Sequence, residues 1–183
     1  NYDFVFDRKK INKKDLKIIF EKLDNLNIFE ILKTYLENNI YSYDNTILTL
    51  GNKTSKGGAW QPHHDSKGNR IKIYIWLNKL STETHPLFYL RGSHKKIRIW
   101  SKYKQTRFSN ISEVEMDKIY GDIGDIIIFD THGIHSNFKK TIQPRSVIEL
   151  TFESFGFFSR FSDKTIKGKK EIERIQATPM NLF

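Results

Sequence analysis

The chain has 183 residues, 38% of them hydrophobic and 14% aromatic, and a formal net charge of +10. That apolar content excludes a disordered chain, and the length suits one domain that buries a core without disulfides or a structural metal. The lack of cysteine excludes a disulfide framework and thiolate metal sites, so any bound metal must use His, Asp or Glu.

The apolar runs, such as IIIF at 126–129, are far too short to span a bilayer, and the charged N-terminus has no signal-peptide core. The expectation is a soluble protein of a reducing compartment inside the cell. The chain begins at Asn1 rather than a methionine, which leaves room for a longer protein.

Two amphipathic helices are expected first. Asn12 is placed to cap KKDLKIIFEKLD, where Leu16, Ile19, Phe20 and Leu23 share a face, and IFEILKTYLEN repeats the pattern with Ile28, Ile31, Leu32 and Tyr35. From residue 41 onward, short β-rich runs follow one another between turn residues: TILTL, IKIYIWL, LFYL, DIIIFD and RSVIELTF. Helices followed by at least five strands, with no helices alternating between them, indicate a mainly β fold with N-terminal helices, an antiparallel sandwich or jelly roll and not a parallel βαβ sheet. The whole chain, 1–183, reads as a single domain: a helical buttress at 1–40, a jelly-roll core at about 41–158 and a basic tail at 159–183.

The charge of +10 raises nucleic acid as a partner. Its lysines and arginines are spread over three separate stretches and mixed with acids in two of them, which fits solvated surface, so nucleic acid is disfavoured.

The chemistry concentrates in WQPHHDSKG at 60–68. On extended backbone His63 and Asp65 point to one side and His64 to the other. A histidine and a carboxylate so placed need one more histidine to complete the facial triad that holds non-haem Fe(II) with positions left open. Far along the chain, after DIIIFD, the segment THGIHSN offers two candidates, His132 and His135, and Arg145 heads the next strand.

In this order the pieces resemble the Fe(II)- and 2-oxoglutarate-dependent dioxygenases, and within them the phytanoyl-CoA dioxygenase-like family. The resemblance runs from about 46 to 152 and rests on HHD as H-x-D, RGSHK as a Gly-Ser-His loop, GDIGDIIIFDTHGIH as the strand leading to the distal histidine, and NFKKTIQPR ending in the arginine. It implies a double-stranded β-helix, a cupin-like jelly roll, with His63, Asp65 and His135 as the catalytic iron ligands, and Arg145 gripping the far carboxylate of 2-oxoglutarate. A guanidinium suits that task because it offers a carboxylate two parallel hydrogen bonds. It further implies dioxygen as second co-substrate and hydroxylation of a small-molecule, lipid or glycan substrate, with release of succinate and carbon dioxide. Related halogenases carry a small residue in place of Asp65, which favours a hydroxylase. Arg91 departs from the pattern, standing where many relatives carry proline.

Asn137, Trp60 and Tyr74 are the further candidates for the co-substrate pocket. Asn137 projects to the side of His135 if the strand continues, Trp60 lies three residues before His63, and Tyr74 sits on the following strand, where it and Trp76 also suit core packing. His132 is expected near substrate or in packing, His94 in a turn behind Ser93, and His64 and His85 in solvent. Gly124 and Asp125 read as the turn that launches a strand. Two other readings stand beside this one. A cupin that binds metal without 2-oxoglutarate has no use for Arg145. A nucleic-acid demethylase of the same fold carries a second arginine on that strand, and RSVIELTFE has none.

Overall fold

The β-branched runs of this sequence form strands that are apolar on one face and mixed on the other, so they are built to sit between two layers. In the computed structural model, residues 7–36, 40–50, 61–65, 70–81, 84, 86–95, 106–137 and 143–154 are described, and they form a mostly antiparallel β structure with two helices. The first sheet has the order β1 (Asp7–Lys10), β2 (Ile40–Leu50), β10 (Arg145–Ser154), β4 (Arg70–Trp76), β8 (Ile126–Asp130). The second runs β6 (Thr106–Arg107), β3 (His63–His64), β9 (His135–Ser136), β5 (Leu87–Tyr89), β7 (Asp117–Ile119). From β2 to β5 and again from β8 to β10, successive strands alternate between the two sheets, and every pairing is antiparallel. The basic tail and Trp60 lie outside the described residues.

The period of two sorts the first sheet into two faces. On the outer face Ile71, Ile73, Leu150 and Phe152 are 4% exposed or less, and two helices cover them. Helix α1 (Lys13–Asn25) starts at Asn12, whose side-chain carbonyl accepts the Asp15 N–H at 2.9 Å. Asn27, in the left-handed region at φ 56°, turns the chain into α2 (Ile28–Tyr35).

The buried stripe of α2 differs from the expected one. Ile28, Phe29 and Leu32, with Leu36 just beyond, face the sheet, whereas Ile31 and Tyr35 are 56% and 52% exposed. Both stripes satisfy helical spacing. The choice falls to the aromatic contacts of Phe29 with Phe20 and Phe152, at 5.6 and 6.0 Å between ring centroids.

On the inner face, Leu48, Tyr74, Trp76, Phe129 and Val147 pack with Leu87 of the second sheet and form the core between the layers. The same inner rows carry Lys72, Arg145 and Glu149, charged groups inside otherwise apolar strands. No helix of the described residues is long and apolar enough to cross a membrane.

Candidate metal centre and its buried polar wall

His63 and His135 are direct cross-strand partners of β3 and β9, with ring centroids 4.4 Å apart. Each ring is oriented by its own chain. The Nδ1–H of His63 donates to the Gln61 carbonyl at 2.7 Å, and that of His135 to the Gly133 carbonyl at 2.8 Å. A carbonyl can only accept, so the proton of each neutral ring sits on Nδ1 and the lone pair on Nε2. Both Nε2 atoms lie 3.9 Å from Asp65 Oδ1. Asp65 is anchored by its N–H to the Thr131 carbonyl at 2.9 Å, which ties the segment after β3 to the end of β8.

Burial pushes His135 down to about 4 and lowers His63 as well, so both imidazoles are neutral at physiological pH. For Asp65 burial acts the other way, but Lys72, His135, Arg70 and His63 outweigh it and hold the carboxyl below its usual range. Two neutral imidazole lone pairs and a carboxylate converge within 4.8 Å, and they are the group among the described residues able to hold a metal ion together. The buried Asp65 Oδ2 accepts no hydrogen bond among the described residues. This donor set fits a divalent ion of the non-haem iron kind.

Two tight contacts support β9. The Cβ of any larger residue at Gly133 would fall 1.8 Å from the Tyr89 hydroxyl oxygen, so glycine alone fits under that ring. The Ser93 hydroxyl accepts the Ile134 N–H at 2.7 Å, which gives the Gly-Ser-His loop its structural work. His132, the rival ligand, is turned away. It is buried with Nδ1 3.5 Å from Asp130 Oδ1 and does not belong to the metal group. His64 is also buried, contrary to expectation, because its ring packs 6.0 Å from Phe108 and its Nδ1 meets the Asp65 carbonyl at 2.9 Å. His85 lies outside the described residues.

Arg145 is fully buried at the head of β10. Its Nη2 donates to Asn137 Oδ1 at 2.7 Å, and its guanidinium lies 5.7 Å from the ring centroids of both Tyr74 and Trp76. Asn137 is two residues past His135, so one short stretch of chain supplies both a triad histidine and the partner of the arginine. The Tyr74 ring stands 5.1 Å from that of Phe129, which in turn stands 5.6 Å from His135. Burial lowers the guanidinium to about 10, and it stays charged at neutral pH.

Sequence reasoning missed Trp76 as a flank of this arginine, and it missed Lys72 and Glu149 altogether. The Tyr74 hydroxyl donates to Glu149 Oε2 at 2.8 Å, Arg8 reaches Glu149 Oε1 at 2.9 Å, and Lys72 Nζ lies 3.4 Å from Oε2. Burial opposes the charge of Glu149, but Lys72, Arg8 and the Tyr74 hydroxyl keep its carboxyl below the usual range. The signal was available: IKIYIW and VIELTF each place a charge in the middle of a buried strand, which is costly unless paired.

No family model and no curated protein matches the sequence. Solved structures do match by shape. EvdO2 from Micromonospora carbonacea var. aurantiaca, complexed with 2-oxoglutarate, is 19% identical with a TM-score of 0.54 over 82% of this chain and 68% of its own. SnoN, a non-heme alpha ketoglutarate dependent epimerase from nogalamycin biosynthesis, is 16% identical with a TM-score of 0.54 over 82% of this chain and 63% of its own. EctD from S. alaskensis, with 2-oxoglutarate and 5-hydroxyectoine, is 17% identical with a TM-score of 0.50 over 68% of this chain and 48% of its own. This chain therefore spans from about half to two thirds of their length. At these identities the likeness is one of fold, and the chain has the mainly antiparallel β architecture of these 2-oxoglutarate-binding proteins.

Proposed function

We propose that this chain is a non-haem Fe(II)- and 2-oxoglutarate-dependent oxygenase built on a double-stranded β-helix, with the ordered motifs of the phytanoyl-CoA dioxygenase-like family. The observation that carries the reading is Arg145. A buried guanidinium costs several kcal/mol to desolvate, and a jelly roll that merely binds metal has no use for one beside Asn137. A dicarboxylate anchored at its far end gives that charge a purpose. The neighbours in fold support the same co-substrate.

In this reading His63, Asp65 and His135 would hold the iron, two neutral imidazoles and one carboxylate being the donor set such an ion takes. Bound iron, 2-oxoglutarate and dioxygen together supply an oxidant for a substrate C–H bond, with succinate and carbon dioxide as co-products. The residues of the chain bind and orient. Arg145 grips the 5-carboxylate with two parallel hydrogen bonds, Asn137 fixes the guanidinium, and Tyr74 and Trp76 flank it so that its fork stays in one plane. The apolar rows of the inner faces exclude water from the site. The substrate is a small molecule, lipid or glycan, and the outcome is hydroxylation.

Calorimetric titration of the Mn(II)-loaded protein with 2-oxoglutarate tests the reading, together with succinate release from the Fe(II) form in air. One 2-oxoglutarate should bind per chain, and only with metal present. A protein that binds metal at the triad yet ignores 2-oxoglutarate is a metal-binding jelly roll instead.

A further inference from the structure

The metal-ligating carboxylate has two oxygens, and the chain treats them differently. Oδ1 faces the two imidazole Nε2 atoms at 3.9 Å each. Oδ2 faces two cations, Lys72 Nζ at 3.5 Å and Arg70 Nη1 at 3.6 Å. The two cations differ in their other commitments. The Nε of Arg70 donates to Glu153 at 2.6 Å and its Nη2 also contacts that carboxylate, so this guanidinium is drawn toward the Arg70–Glu153 strand pair. Lys72 stands between two acids, Asp65 and Glu149, and Glu149 is itself fixed by the Tyr74 hydroxyl and Arg8. Lys72 thus links the metal ligand to the wall that carries Tyr74 and Arg145.

The geometry points to Lys72 as a positioning residue that holds Asp65 Oδ2 away from the metal, so that the carboxylate binds through Oδ1 alone. This rests on the metal reading above. An octahedral ion bound by three protein atoms keeps three positions, and a chelating co-substrate with dioxygen needs all three. A carboxylate free to rotate can bind through both oxygens and occupy one of them. An ammonium on Oδ2 disfavours that rotation, because turning Oδ2 toward the metal separates the ion pair in a site largely closed to water. Lysine suits the task as a compact point charge with three donors, able to face two carboxylates at once. Glu149 keeps it in place and balances its charge, so the pair adds no net charge beside the iron.

The test compares the parent with Lys72→Met and with the double variant Lys72→Met/Glu149→Gln. The double variant removes both charges, so Glu149 is not left buried without Lys72 while Arg70 still faces Asp65, and the assay stays interpretable if the single variant fails to fold. Mn(II) affinity is read by calorimetry, and coordination by the electronic spectrum of the Co(II) form. With the ammonium gone Oδ2 is free to add a second donor to the metal, so the double variant is expected to bind Mn(II) at least as tightly as the parent. A Co(II) spectrum shifted in band position and intensity should accompany it. A double variant that keeps the parent's Co(II) spectrum, or that binds Mn(II) about 10-fold more weakly, overturns the inference and leaves the metal reading intact. A parent that binds no Mn(II) overturns both.

Discussion

His63 and His135 face one another across the β3–β9 ladder, each with its Nδ1 proton given to a carbonyl two residues back in its own chain. Direct opposition in an antiparallel pair puts side chains closer than any other register does. The identical hydrogen bonds then aim both Nε2 lone pairs at the same carboxylate oxygen. Strand pairing and these two ring hydrogen bonds thus set the imidazole part of the candidate metal group.

Removal of any one ligand should abolish tight metal binding. His63→Ala, Asp65→Ala and His135→Ala are each expected to lose stoichiometric Mn(II) binding by calorimetry while keeping their circular-dichroism spectrum. In the parent, metal at about 100 times its Kd should stabilise the fold by about 2.7 kcal/mol, a rise of several degrees in midpoint. Metal binding that survives loss of both histidines would show that the ligands lie elsewhere.

In the proposed function Arg145 anchors the co-substrate. Two charge-assisted hydrogen bonds contribute about 1.5–3 kcal/mol each, so Arg145→Met should weaken 2-oxoglutarate binding by roughly two orders of magnitude or more. Metal affinity should be unchanged. Arg145→Lys should recover only part of the loss, because an ammonium cannot make the planar two-pronged contact. An unaltered 2-oxoglutarate affinity in the Met variant goes against the assignment.

The buried imidazoles impose a pH dependence on the metal-free protein. His135 is pushed down to about 4 by burial, whereas in an unfolded chain histidine titrates near ~6.5. Between those values the unfolded chain binds the extra proton and the folded one does not, so stability rises with pH across the window and is lost on acidification through it. Asp65 and Glu149, both held below the usual carboxyl range, add their losses only at lower pH. Denaturation midpoints of metal-free protein should fall between about pH 7 and about pH 5, and His135→Gln should flatten the slope. A midpoint that does not change over that interval contradicts a neutral buried imidazole.

A methyl group at Gly133 would strike both the packing and the candidate site. The glycine's missing Cβ leaves room for the Tyr89 hydroxyl, which donates to the Asp130 carbonyl at 3.1 Å, and its own carbonyl orients His135. Gly133→Ala should cost about 1–3 kcal/mol of stability by overpacking and should weaken metal binding in the same variant. Phe29→Ala is the contrasting case. It should cost about 3–5 kcal/mol where α2 packs on the outer face, with metal affinity unchanged in the folded fraction. Thermal denaturation paired with Mn(II) calorimetry distinguishes the two.

Much of this protein could be read locally. Residues 71–76 and 145–152 are rich enough in β-branched and aromatic residues to read as strands, Asn12 is a good cap by its chemistry, and His63 and Asp65 share a side because extended backbone has a period of two. What local pattern could not supply was the short strands, β3 and β9 at two residues each, which carry the two histidines of the candidate metal group and exist only because neighbouring chain offers hydrogen-bond partners. Nor could it place Arg145 against Asn137, decide between His132 and His135 by residue type, or separate the two apolar stripes of α2. Lys72 and Glu149 were legible as charges within apolar strands, yet their pairing is fixed by register between β4 and β10, and Asp65 meets Lys72 from the segment after β3, in the other sheet. Sequence determines which side chains share a face, because backbone geometry is local. Which faces meet, and so which charges are paired and which lone pairs converge, is decided only when two sheets close on one another.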